Sequence, residues 1–274
     1  MFAVGSRARL IAGLLGIFGA VVAFYALVAW LFPKGAVAAC VALVGCIVVY
    51  FLYHWQIKPP VYDQQLREIR ALVVLSPLIQ DTFLPFSTSW TMESDVLLEI
   101  LNYIQTSDCE EIVECGSGVS TVVIGNLLKQ RKRGHLYSLE DDEQWCGFLA
   151  QLIASQGLDK YVTLVHAPLQ RCPDIDADVM WYATDKAKSV LQTVKCIDLV
   201  IVDGPKSVYD LSRVPALPFF MPWMDAHTLL VLDDANRSKE QAVLAKWQQD
   251  YDIEIDVHSQ TSHGQAYVRL RHSR

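Results

Sequence analysis

The stretch 111–121, EIVECGSGVST, decides how the carboxyl-terminal part of this chain is interpreted. Its first five residues are typical of a short strand, and Gly116 and Gly118 follow directly. Two glycines at this spacing allow a sharp backbone turn and a close approach to a ligand, and a helix beginning after them presents free N–H groups. Because Glu114 precedes the loop, the sequence favours a cationic or amino-bearing ligand over a pyrophosphate. We therefore expect a ligand-binding loop between a strand and a helix.

Strands and helices alternate on the carboxyl-terminal side of this loop. Helices are predicted at 121–130, 143–156, 186–194 and 238–250, and further strands at 135–139, 161–166, 197–202, 228–232, 253–258 and 266–271. The middle strands are almost wholly apolar, which is typical of a parallel sheet covered on both faces. No helix separates the last two strands, so they should pair as an antiparallel hairpin at one edge. The predicted fold class is α/β, with a Rossmann-like seven-stranded mostly parallel sheet and an antiparallel last strand.

Acidic residues stand where the predicted parallel strands end. Glu140 and Asp141 follow the second strand, Asp203 follows the fourth, and Asp233 and Asp234 end the fifth. An open α/β sheet binds its ligands beyond the carboxyl ends of its strands. We therefore expect these carboxylates to converge beside the glycine loop and to form a functional site.

These features resemble the class I S-adenosylmethionine-dependent methyltransferases over about residues 90–272. The first motif of that family, acid-x-Gly-x-Gly, matches 114–118, and its ribose-binding acid matches Glu140. Many members carry a third small residue, usually glycine, where this chain has Ser120, and an NAD-type fingerprint would need glycine at Thr121. The resemblance implies S-adenosylmethionine as the cofactor. The cofactor-binding residues that it implies are Glu114, Gly116, Ser117, Gly118, Ser120, Thr121, Glu140, Asp141 and Asp203.

Methyl transfer to a hydroxyl needs a group that removes a proton. We expect Asp203 or Asp234 in this role, with His263, in the loop before the last strand, as a further candidate. The strand ends also resemble the metal-assisted O-methyltransferases of catechol and caffeoyl-CoA type. That likeness implies a divalent cation such as Mg²⁺ on Asp203, Asp233 and Asp234, although the family has an Asp-Asn pair in place of Asp233-Asp234. Two alternatives stay open: the carboxylates cap turns, and Arg237 pairs with Asp234 or holds an anionic substrate.

The first 58 residues have a different character. Two uncharged apolar runs, at about 10–32 and 36–55, are separated by Pro33-Lys34-Gly35. As a helix the first would be roughly 35 Å long, against a bilayer core of about 30 Å. Basic residues flank the pair of runs, which places both termini in the cytoplasm. The sequence thus predicts a transmembrane hairpin at 1–58, a linker helix and lid segment at 59–90, and a cytoplasmic methyltransferase domain at 91–274.

The charge of the chain also divides. The formal net charge is −7, but residues 1–58 hold four basic residues and no acid, which leaves −11 for the remainder. A domain of this charge repels polyanions, so nucleic acid is not an expected partner. The sequence therefore predicts a two-pass, membrane-anchored methyltransferase acting on oxygen of a small or lipid-linked acceptor. The alternatives are another Rossmann-like transferase or oxidoreductase, and a non-catalytic membrane scaffold.

Overall fold

The computed structural model describes residues 22, 24–31, 36–57, 61–79, 91–172, 179–206, 211–258 and 263–271. The chain divides into two compact units, Met1–Gln65 and Leu66–Arg274. The boundary falls inside the helix Val61–Leu75, which the sequence predicts as a linker helix. Most of the predicted lid segment, residues 80–90, lies outside the described residues.

A seven-stranded sheet forms the centre of the second unit. The strands of the chain are β1 (Glu111–Cys115), β2 (His135–Glu140), β3 (Val162–His166), β4 (Leu169–Arg171), β5 (Met180–Tyr182), β6 (Leu199–Val202), β7 (Leu229–Asp233), β8 (Ile253–His258) and β9 (Gln265–Leu270). The order in the large sheet is β3-β2-β1-β6-β7-β9-β8. Strand β9 is antiparallel to both of its neighbours, and the other pairs are parallel. The predicted fold class of this unit is confirmed.

The first unit contains the helix α1 (Ala36–Ile57), and α2 (Val61–Leu75) crosses the boundary between the two units. The helices described in the second unit connect most of its strands, and they are α3 (Ser94–Thr106), α4 (Val119–Arg131), α5 (Glu143–Ser155), α6 (Thr184–Leu191), α7 (Ala216–Phe220) and α8 (Ser238–Asp250). Buried side chains form two clusters, and successive residues of β1 belong to different ones. Ile112 packs in the cluster that contains side chains of α3 and α4, whereas Val113 packs in the cluster that contains side chains of α7 and α8. Because successive strand side chains point to opposite faces, helices cover the sheet on both sides.

The shortest strands and helix were not predicted from the sequence. Strands β4 and β5 pair antiparallel in a separate two-stranded sheet, and neither this pair nor α7 is among the predicted elements. Three or five residues are too few to show a strand or helix period. In contrast, β1, β8 and α8 have the predicted bounds, and the other predicted strands differ by at most two residues at an end.

The amino-terminal unit does not support the predicted membrane spans. Helix α1 covers the second predicted span, but the side chains of 38–40 and 51–57 lie outside the described part of the chain. Most of the first predicted span also lies outside it. Within the residues that the structure describes, no helix is long and apolar enough to cross a membrane. The structure therefore gives no support to the predicted two-pass topology or to the predicted membrane anchor.

Candidate active site

A cavity of about 340 Å³ opens at the carboxyl ends of the parallel strands of the second unit. It is reached by the glycine loop after β1, by the acids at the ends of β2, β6 and β7, and by His263, which lies just before β9. Its lining includes Gly116, Ser117, Gly118, Ser120, Glu140, Asp141, Asp203, Asp233, Asp234, Arg237 and His263. The structure thus brings together most of the site residues that the sequence indicates.

The loop after β1 needs glycine because two backbones meet there. Gly116 has a φ of 93°, and a Cβ on it would lie 2.8 Å from the backbone nitrogen of Gly204. A Cβ on Gly204 would collide with the Tyr182 hydroxyl group. The Gly204 amide donates to the carbonyl of Cys115 at 2.6 Å, which holds the ends of β1 and β6 together. At Gly118, by contrast, no described protein atom beyond the chain neighbours lies within 4 Å of a Cβ.

Glu114 and Thr121 support this loop from below and do not line the cavity. The Oε2 atom of Glu114 accepts hydrogen bonds from the hydroxyl groups of Thr121 and Ser138, both at 2.6 Å. The Thr121 oxygen accepts in turn from the Gly118 amide at 2.8 Å. Burial raises the pKa of Glu114 to about 7, although the hydroxyl donors oppose the shift. The acid of the motif therefore fixes the loop through Thr121.

Glu140 ends β2 at the edge of the cavity. Its Oε2 accepts from the Ser117 amide at 3.1 Å, and its Oε1 accepts from the Asp142 amide at 2.8 Å. The indole nitrogen of Trp145, in the first turn of α5, donates to the carbonyl of Ser117 at 2.8 Å. A carboxylate oxygen can accept more than one hydrogen bond. Glu140 is therefore held in place while keeping acceptor capacity toward the cavity.

Three carboxylates of the cavity lie close together, and a buried guanidinium group contacts two of them. Asp203, Asp233 and Asp234 each offer an oxygen within 4.8 Å of the others. The Arg213 side chain is 3% exposed, and its Nη2 lies 3.7 Å from Asp203 Oδ1 and 3.2 Å from Asp234 Oδ2. Its Nη1 donates to the carbonyl of Asp233 at 3.0 Å and lies 3.6 Å from Glu240 Oε1. Its Nη2 also donates to the carbonyl of Asp203.

Burial makes two of these acids, Asp203 and Asp233, hold their protons more tightly than usual. It raises the pKa of Asp203 to about 6, and the nearby Arg213 counteracts part of the shift. Burial, with the charges of Asp203 and Asp234, raises the pKa of Asp233 well above its ordinary value. Asp203 therefore has the pKa of a group that exchanges a proton near neutrality.

Asp234 is oriented by groups on both sides. Its φ of 64° lies in the left-handed region, which aspartate tolerates better than most residues. Its Oδ2 lies 2.8 Å from Nη1 of Arg237, and its Oδ1 lies 3.5 Å from Nδ1 of His263. The amide of Asn236 donates to the carbonyl of His263 at 2.8 Å. The turn after β7 thus holds His263 beside the cavity, where a candidate general base would have to lie.

The lining residues that the sequence analysis did not name include Trp145, Tyr182 and Arg213. Trp145 lies one turn beyond the acids after β2, and that position was the one available signal. Tyr182 belongs to β5, which is too short to predict. Arg213 lies 20 residues before Asp233 in a stretch with no recognised motif, so only the folded chain shows its acidic partners.

The donor set does not fit a divalent cation well. Both oxygens of Asp234 already face basic groups, Oδ2 toward Arg213 and Arg237 and Oδ1 toward His263. Mg²⁺ needs near-octahedral oxygen coordination, and a permanent positive charge among the ligands opposes it. The residues present therefore do not fit the metal site expected from the family resemblance, and the proposed chemistry involves no metal ion.

Comparisons with known proteins relate this unit to methyltransferases in fold and, over part of its length, in sequence. Residues 113–235 match the family model described as "Methyltransferase domain", whereas comparison with curated proteins gave no match. The chain is similar to the SAH-bound methyltransferase PaMTH1 of Podospora anserina, with a TM-score of 0.52 and 15% identity over 73% of this chain and 88% of that one. It is also similar to a Staphylococcus aureus protein assigned provisionally as a caffeoyl-CoA O-methyltransferase, with a TM-score of 0.51 and 15% identity over 76% and 97% of the two chains.

At this identity the structural likeness shows the fold alone. The family match is independent of it and runs from the middle of β1 to the turn after β7. It therefore includes the glycine loop, the acid that ends β2 and the acids of β6 and β7. The second unit has the fold of these methyltransferases, and its cavity-forming part is similar in sequence to a methyltransferase domain.

Proposed function

We propose that this chain is an S-adenosylmethionine-dependent methyltransferase that acts on an oxygen atom of a small-molecule acceptor. The observation that carries the proposal is the juxtaposition, in one cavity, of the glycine loop, the carboxylate of Glu140 and the half-buried acid Asp203. The first two are suited to a ribose-bearing cofactor, and the third is suited to a proton that leaves the acceptor.

The cofactor part of the proposal rests on groups that are already held in position. Glu140 receives two backbone hydrogen bonds and can accept more, as a vicinal diol would require. The start of α4 presents backbone N–H groups toward the same space. Trp145 fixes the Ser117 carbonyl and places its indole ring at the cavity wall. These features support a bound nucleoside with a polar tail.

The catalytic part assigns proton removal to Asp203. The acceptor oxygen attacks the methyl group of the sulfonium, the carbon–sulfur bond breaks, and the electron pair stays on sulfur as a neutral thioether. The acceptor hydroxyl proton passes to the carboxylate of Asp203, whose pKa of about 6 leaves it mostly ionised at neutral pH. Holding donor and acceptor in line is the other contribution that the protein makes. His263 lies beside Asp234 and is a second candidate for the proton.

The charge of the cavity bears on the acceptor. Six carboxylates line it, against the three permanent cations Lys206, Arg213 and Arg237. A polyanion would be repelled at such an entrance, which supports a small acceptor and disfavours nucleic acid. The lipid-linked acceptor depended on the predicted membrane anchor and is not part of this proposal.

Calorimetry with the full chain tests the cofactor. We expect S-adenosylhomocysteine to bind and NAD⁺ to bind much more weakly or not at all. Glu140→Gln should weaken S-adenosylhomocysteine binding by roughly 10- to 100-fold, because hydrogen bonds to charged groups contribute about 1.5–3 kcal/mol. Glu143→Gln, an exposed change three residues later, is the matched control and should leave the affinity unchanged. Preferential NAD⁺ binding would favour an oxidoreductase, and failure to bind either ligand would favour the scaffold.

Label transfer tests the assignment of Asp203. The full chain is incubated with methyl-tritiated S-adenosylmethionine and a small-molecule extract, and labelled products are separated. We expect Asp203→Asn to abolish labelling while S-adenosylhomocysteine still binds. Unchanged labelling by this variant would remove Asp203 from the mechanism, and His263→Gln would then be the next variant to test.

A further inference from the structure

We propose that Arg213 takes the place of the divalent cation used by metal-assisted methyltransferases, so that this site works with a cation supplied by the chain itself. The reaction that it serves rests on the proposed function. The arrangement of charges stands on its own geometry.

The guanidinium group is placed as a bridging cation would be. It contacts carboxylates that follow two different strands, Asp203 after β6 and Asp234 after β7. It also donates to the backbone carbonyls of Asp203 and Asp233. With 3% of its side chain exposed, Arg213 is part of the interior and not a mobile surface residue. Arginine is the residue best suited to this task, because its planar fork offers several donors in fixed directions.

The same placement leaves little room for a metal ion. Arg237 adds a second guanidinium at 2.8 Å from Asp234 Oδ2. The oxygens left over belong mainly to Asp203 and to Oδ1 of Asp233, which is buried without a hydrogen-bond partner among the described residues. A divalent ion bound to these two would lie close to the buried positive charge of Arg213. The repulsion at such a distance should weaken metal binding by more than about a hundredfold.

Arg213 then acts as a positioning residue. By donating to the carbonyl after β6 and to the last carbonyl of β7, it fixes the separation of the two strand ends, and its charge compensates the ionised form of Asp203. In a metal-assisted enzyme a cation would do both. This chain therefore needs no metal to keep Asp203 and Asp234 together.

Manganese binding tests the proposal, with Mn²⁺ as the probe and electron paramagnetic resonance of the free ion as the readout. The full wild-type chain should bind Mn²⁺ no more tightly than about 1 mM, the weak end of the range for oxygen sites. EDTA should leave its affinity for S-adenosylhomocysteine unchanged within twofold. Micromolar Mn²⁺ binding that disappears in Asp203→Asn would overturn the proposal.

Two substitutions separate the charge of Arg213 from its shape. Arg213→Met removes the cation, and we expect Mn²⁺ binding to become at least about a hundredfold tighter. Arg213→Lys keeps the charge and should bind Mn²⁺ as weakly as the wild type. Arg269→Met is the control, because Arg269 is a partly exposed arginine on β9 that donates to the His227 carbonyl. A folded Arg213→Met that gains no Mn²⁺ binding contradicts the proposal.

Circular dichroism shows whether Arg213→Met folds. If it does not, the wild-type titration and Arg213→Lys still decide, because Mn²⁺ binding by either would contradict the built-in cation. Binding of S-adenosylhomocysteine in the same samples reports separately on the proposed function. A wild-type chain that binds neither ligand would refute the methyltransferase and leave the role of Arg213 in the acid cluster standing.

Discussion

The two glycines of the loop after β1 should respond oppositely to the same substitution. Gly116 has a positive φ of 93° and lies against the backbone of Gly204. Gly118 has an extended φ of −168°, and no described atom beyond its chain neighbours lies within 4 Å of an added Cβ. Gly116→Ala is therefore expected to damage the fold, whereas Gly118→Ala is expected to damage ligand binding.

The magnitudes follow from the contacts. At Gly116 an alanine adds a conformational cost of roughly 1–2 kcal/mol and an overpacking cost of about 1–3 kcal/mol, because the opposing atoms are backbone and cannot move aside. The free energy of unfolding should thus fall by about 2–5 kcal/mol. At Gly118 the change should be neutral or stabilising by about 0.4–1 kcal/mol, through the lower entropy of the unfolded chain. Because Gly118 lines the cavity, an added methyl group is expected to narrow the space for the cofactor, with a loss of affinity of about tenfold or more by the same overpacking cost.

Urea unfolding and calorimetry with S-adenosylhomocysteine measure the two effects on the same samples. Gly147→Ala is the matched control, because Gly147 is exposed within α5 and a Cβ there meets no described atom within 4 Å. It should stabilise the helix by up to about 1 kcal/mol and leave the ligand affinity unchanged. Equal loss of stability at Gly116 and Gly118, or wild-type affinity in Gly118→Ala, would refute this account of the loop.

Three further predictions concern polar groups near the loop. Burial raises the pKa of Glu114 from 4.5 to about 7, so the folded protein keeps a proton that the unfolded chain has lost; the free energy of unfolding should fall as the pH rises through this window, and Glu114→Gln should flatten the slope in urea titrations. Trp145→Phe removes the 2.8 Å bond to the Ser117 carbonyl and should weaken S-adenosylhomocysteine binding by about 2- to 10-fold in calorimetry; an unchanged affinity would separate this bond from the cofactor. The Tyr182 hydroxyl is buried without a partner among the described residues, so Tyr182→Phe should not lower the free energy of unfolding in urea titrations. A loss above about 1 kcal/mol would show that the hydroxyl makes a hydrogen bond.

The sheet was predictable because its signals are local. Strand β6 is continuously apolar, β8 and β9 follow each other without a helix, and acids mark the strand ends. These patterns determine which residues face the core and which edge collects polar groups. The β4–β5 pair and α7 were not predictable, since their stability comes from packing against the larger core and not from a repeated pattern in their own sequence.

The candidate site was predictable in position but not in the role of each residue. Glu114 and Glu140 are both acids beside strand ends, and nothing in the local sequence separates them. In the structure Glu114 is beneath the loop, bonded to Thr121 and Ser138, while Glu140 borders the cavity. A shift of one residue along a strand changes the face to which a side chain points. Whether that face meets a helix or the cavity depends on how far the strand extends toward the cavity.

The sequence alone determined the α/β sheet, its closing antiparallel strand and the edge at which the acids meet, because hydrophobic periodicity and strand order are written in neighbouring residues. Only the tertiary structure decided which acids face the cavity and that the buried Arg213 pairs with two of the three converging carboxylates. The physical reason is that charge compensation depends on distances between residues far apart in the chain. Such distances are set by the packing of the whole unit and leave no trace in the spacing of a motif such as EIVECGSGVST.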